Sequence, residues 1–96
     1  MKIYIVGAEI DDDDYHVDWN VRAFTDKALA EDLKTKAQAR AKEMRKTLAD
    51  LRKARNFGAA DDFRKTAQNE FDPSMQWGLN DFYPSYYVTE TELEGI

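Results

Sequence analysis

One histidine, His16, and no cysteine stand among 96 residues, so nucleophilic and acid/base chemistry has few groups to draw on. His16 sits in an alternating segment, on the side opposite Tyr15, Val17 and Trp19, where an exposed or structural role is the simpler reading than a catalytic one. The nineteen Asp and Glu residues offer carboxylate pairs in principle, yet no spacing selects one pair, and there is no Gly-rich phosphate loop. No catalytic residue is assigned, and the chain reads as non-enzymatic. Glu9 with Asp11, Asp12, Asp13 and Asp14 carries oxygen ligands of the kind that bind calcium or magnesium. The run lacks the alternation and the sharp-turn glycine of a calcium loop, so a solvated acidic turn is expected, with no metal and no cofactor.

Charge is unevenly distributed. The formal net charge is −5, but Leu33 to Asn56 holds nine basic residues against Glu43 and Asp50, a local +7 that leaves −12 on the rest. Such a segment either compensates the acidic remainder or docks on a partner of opposite sign. For docking, the candidate residues are Arg40, Arg45, Lys46, Arg52, Lys53 and Arg55. A nucleic acid is the alternative partner, because Lys and Arg neutralise phosphates; the acidic remainder opposes it. A membrane is not expected, since no run approaches the length of a spanning helix and the apolar stripe lacks bulky interfacial aromatics.

Trp77, Tyr83, Tyr86 and Tyr87 form an aromatic cluster that either stacks on a flat ligand or caps the core. Capping is the expected role, because a domain this short needs large side chains to bury enough area.

These groups must be positioned by a few elements. Ile3 to Val6 is a β-branched and aromatic run that favours a buried strand, and Tyr15 to Ala23 alternates as a half-buried strand does. Thr25 or Asp26 can cap a helix, along which Leu29, Leu33, Ala37, Ala41, Met44, Leu48 and Leu51 hold one stripe. Asn56 and Gly58 supply the first stop, so the helix extends about 45 Å and projects beyond the sheet. A shorter second helix is expected from about Ala59 to Phe71, ahead of Pro73, and Tyr86 to Thr89 reads as a last strand beside the first. The expected fold is α/β of the α+β kind: a three-stranded antiparallel sheet in the order β-β-α-α-β, packed by a long basic helix and a shorter second helix. Residues 1–96 form a single domain, with 26–71 a helical hairpin insertion. Leu29, Leu33, Met44, Leu48 and Leu51 are expected to be partly buried between two copies of the chain, as a homodimer.

Lys2-Ile3-Tyr4-Ile5-Val6, Asp14-Tyr15-His16-Val17, Phe24 to Glu31 and Tyr86-Tyr87-Val88-Thr89-Glu90 together resemble short uncharacterised proteins of bacteriophages and bacteria with a strand, strand, helix, strand plan. The likeness covers roughly the first third and the last tenth of the chain and includes no catalytic motif. It implies a phage setting and a small accessory protein that binds and modulates or inhibits a host protein, such as a defence system. Zero cysteines and no signal-like opening fit the cytoplasm, which would be the host's for a phage product.

Overall fold

Alternation along three strands sets the architecture, as the computed structural model of residues 1–94 shows. Strands β1 (Lys2–Asp12), β2 (Tyr15–Phe24) and β3 (Ser85–Glu92) form one antiparallel sheet in the order β2-β1-β3. Helices α1 (Lys27–Lys53) and α2 (Phe57–Thr66) lie between β2 and β3 in sequence, and a 3₁₀ turn (Leu79–Asp81) precedes β3. The expected three-stranded sheet, its strand order and the two helices are all present.

Successive side chains of a strand point to opposite faces. On one face of β1, Val6, Ala8 and Ile10 are fully buried, and Ala8 is paired with Trp19 on β2 and with Tyr86 on β3. Helix α1 covers this face: Ala37 and Ala41 pack with Ala8 and Tyr86, and Trp19, Val21, Phe71, Met75 and Tyr83 close around them. Small residues on both sides bring the helix close to the sheet. Helix α1 therefore shares the core of the sheet, and α2 packs on α1. On the opposite face, Ile3, Ile5, Tyr87 and Glu9 are only half-buried. Tyr87 lies over Gly7, where an added Cβ would come within 2.7 Å of the ring, so the glycine makes room for the tyrosine.

Several boundaries differ from the sequence reading. The acidic turn shrinks to Asp13 and Asp14, because Asp11 and Asp12 extend β1 and pair with His16 and Tyr15. The register of β1 with β2 shifts between Val6 and Gly7, leaving Val21 as the extra residue of a bulge. Asp26 caps α1, its Oδ1 accepting from the Ala28 and Leu29 N–H groups at 2.8 and 3.4 Å. The helix ends at Lys53 because Arg55, at φ 58°, takes the left-handed conformation expected of Asn56 or Gly58. Asn56 instead caps α2, and Gly58 lies inside that helix. Helix α2 stops at Thr66 rather than running to Phe71, because Ala67 is extended and Asn69 and Asp72 close a separate turn. The molecule is 56 Å long and 16 Å in its thinnest direction, and α1 at about 40 Å accounts for most of that length.

Candidate functional site

The basic residues of α1 divide by what they meet in the fold: exposed cations, an arginine paired at the surface, and an arginine bound to a buried carboxylate. Lys42, Lys46 and Lys53, at spacings of four and seven, share one exposed strip of α1 opposite the buried Ala37, Ala41, Met44 and Leu48. Arg55 follows at the turn. None of these four cations makes an ion pair with a carboxylate among the described residues. Arg40, by contrast, is engaged: its Nη1 lies 2.8 Å from Glu43 and its Nε 3.3 Å from Glu70, so it contributes little free charge.

Arg52 belongs to a cluster with Asp81 and Arg64 that the sequence did not reveal. Its Nε and Nη2 form a fork on the two oxygens of Asp81, the second bond at 3.0 Å, and Arg64 of α2 donates from Nη1 to Asp81 Oδ1 at 3.2 Å. Asp81 is 3% exposed, while the two arginine side chains are about a third exposed. The hydrogen bonds from Arg52, with the positive charge of Arg52, Arg64 and Arg45, hold the Asp81 carboxyl below its ordinary value. Hydrogen bonding to Asp81 likewise raises the Arg52 guanidinium.

Local structure puts Asp81 there. Gly78 lies against Ile10 of β1, where an added Cβ would meet Ile10 Cγ2 at 2.8 Å, and its N–H donates to the Phe82 carbonyl at 2.7 Å. Asn80 and Asp81 then take φ values of 56° and 60°, both left-handed, which turns the Asp81 carboxylate toward α1 and α2. Gln38 secures the far end of the loop, donating to the Pro84 carbonyl at 3.1 Å and accepting from the Tyr86 N–H at 2.9 Å.

Beside this cluster, a cleft of about 510 Å³ is lined by Asp61, Arg64, Lys65, Gln76 and Trp77, and the Arg64 guanidinium stacks 5.9 Å from the Trp77 ring centre. The other members of the aromatic group are dispersed. Tyr86 is buried beneath the helices and donates to Asp72 at 2.8 Å, Tyr83 packs at the edge of the core, and Tyr87 lies on the open face. They do not converge on one pocket.

The leucine stripe proposed for self-association is largely consumed within the chain. Met44 is 1% exposed and Leu48 fully buried, and Leu33 and Leu51 are half-buried; only Leu29 remains well exposed, at 54%. Met44 and Leu48 are thus core residues and offer nothing to a second copy, because the returning chain of α2 and the loop after it covers that end of α1. His16 is exposed between Asp11 and Asp18, at 3.5 and 3.4 Å. Among the described residues, no three His, Asp or Glu side chains come together as metal ligands, and no helix is long and apolar enough to cross a membrane.

Comparison with family models, with curated proteins and with solved structures finds no match to this chain.

Sequence reasoning missed Arg64, Asp81, Asn69 and Asp72. The one signal for Asp81 was a charged residue within a segment otherwise rich in aromatics, next to an asparagine able to take a left-handed turn.

Proposed function

We propose that the protein is a non-enzymatic interaction module that docks the outer strip of α1 on an acidic surface of a protein partner. In the phage setting that the resemblance implies, the partner is a host protein, such as a component of a defence system, met in the host cytoplasm. The observation that carries this reading is the row Lys42, Lys46, Lys53 and Arg55, exposed and without carboxylate partners among the described residues.

The strip from Lys42 to Lys53 covers about 16 Å of helix, the scale of one patch on a protein surface. A long polyanion would also meet the acidic remainder of the chain, including Glu9, Asp11 and Asp18 on the open sheet face. This favours a local acidic patch over nucleic acid. Electrostatic steering of that kind mainly accelerates association and weakens with salt.

The test is capture of host proteins by the tagged chain with and without nuclease, beside a Lys42→Glu, Lys46→Glu, Lys53→Glu variant whose folding is checked by circular dichroism. A nuclease-resistant partner that binds the original chain, is lost from the folded variant and weakens with salt supports the reading. Equal capture by both chains overturns it, as does capture abolished by nuclease, which identifies nucleic acid instead.

A further inference from the structure

We propose that the cavity between α1, α2 and the Asn80–Asp81 turn is a binding site for a dianionic phosphate monoester. It has a volume of about 430 Å³ and is lined by Arg45, Arg52, Arg64, Asn80 and Asp81. Three guanidinium groups thus line it beside one carboxylate, which bonds to two of them.

The donor count is in excess. Asp81 takes two donors from Arg52 and one from Arg64. An arginine carries five N–H donors in a fixed fork, so both keep donors to spare. Arg45 makes no ion pair or hydrogen bond with any described residue, yet it lines the same cavity. The lining residues sum to three positive charges and one negative; the adjoining cleft adds Lys65 and Asp61, the latter 3.8 Å from Arg52 Nη2, so the surplus over both is two. A monoester dianion matches that surplus in charge, and its tetrahedral oxygens match guanidinium forks in geometry. A phosphodiester, with one charge per phosphate, matches it less well.

The site is also pre-formed. Asp81 is a positioning residue: it fixes the Arg52 and Arg64 planes, and the left-handed turn at Asn80 and Asp81 fixes it in turn. Arg64 continues into the neighbouring cleft with Lys65, Gln76 and Trp77. That cleft has room for the group esterified to the phosphate, and the partly buried Trp77 ring favours one with apolar or aromatic character.

This site uses a different part of the hairpin from the lysine strip and does not rest on the protein-partner reading. The full chain is titrated at low salt with inorganic phosphate and with phenyl phosphate, followed by calorimetry and by phosphorus resonance shifts. Saturable one-to-one binding is expected, tighter for phenyl phosphate and stronger at pH 7.5 than at pH 5.5, because the monoester loses its second proton near pH 6. Arg45→Gln, which removes no ion pair or hydrogen bond with a described residue, should keep its melting temperature within about 2 °C and lose about tenfold or more in affinity. The Lys42→Glu, Lys46→Glu, Lys53→Glu variant should retain saturable binding even where it loses a protein partner. Absence of saturable binding overturns the proposal, as does unchanged affinity in a folded Arg45→Gln variant. Equal binding of phosphate at the two pH values also overturns the assignment to a dianion.

Discussion

Among the described residues two carboxylates are buried, and they are held in opposite ways. Asp72, 1% exposed, accepts from neutral donors: Trp19 Nε1–H at 3.0 Å, the Tyr86 hydroxyl at 2.8 Å and the Ser74 N–H at 3.2 Å. Asp81 accepts from two guanidinium groups at the mouth of a cavity. The Asp72 centre ties strands β2 and β3 to the turn after α2, and neighbouring Asn69 adds a bond from its amide to the Ala37 carbonyl at 3.1 Å. Every strong donor there is used within the chain. The Asp81 centre ties α1 to α2 and leaves donors over. The comparison separates a closed polar knot, whose work is structural, from an open one with charge to spare.

Breaking the closed knot should have the largest effect. Asp72→Ala strands an indole N–H and a tyrosine hydroxyl in the core, and each orphaned buried donor is costly. A loss of about 3 kcal/mol is expected, measured as a lower urea midpoint at unchanged slope. A loss below about 0.5 kcal/mol would show that water reaches these groups and that the knot is not closed.

Tyr86→Phe removes one of the three donors and should cost about 1 kcal/mol at neutral pH. It also changes the response to alkali. Burial, with the hydrogen bond and charge of Asp72, pushes the Tyr86 hydroxyl well above its ordinary value. A group whose folded value is raised contributes stability that is fully present below its unfolded value of about 10 and is lost as pH rises through the folded value. The wild type should therefore lose stability above about pH 10 more steeply than Tyr86→Phe, which has no proton to release there. Parallel curves for the two proteins would break the link between Tyr86 and the closed centre.

Much of the scaffold around these centres is readable from local pattern. Ile3 to Val6, the alternation from Tyr15 and the Tyr86-Tyr87-Val88-Thr89 run all become strands, because face alternation and β-branching act over a few residues. The α1 stripe likewise predicts burial of Ala37, Ala41, Met44 and Leu48. What a stripe does not tell is which surface covers it, and here the covering chain belongs to the same molecule rather than to a second copy. The two carboxylate centres depend on contacts distant in sequence: Trp19 meets Asp72 across 53 positions and Arg52 meets Asp81 across 29. No periodicity marks such pairs. Arg52, as a member of a basic run, resembles its neighbours in sequence, and only the left-handed turn at Asn80 and Asp81 turns it from a free cation into a bound one.

The smallest effect is expected at the open centre. In Asp81→Asn the Arg52 and Arg64 side chains, each about a third exposed, regain water in place of the lost carboxylate charge. A fall of roughly 5 °C or less in Tm is expected at neutral pH, less than for Asp72→Ala. Acid sharpens the distinction, since a carboxyl held below its ordinary value contributes stability present above the unfolded value of about 3.8 and lost as pH falls through the folded one. The gap between wild type and Asp81→Asn should therefore stay constant from about pH 8 to pH 5 and close only in stronger acid. A gap that closes near pH 5 would mean that the arginines do not hold Asp81 ionised, and the charge surplus assigned to the cavity would then need to be counted again.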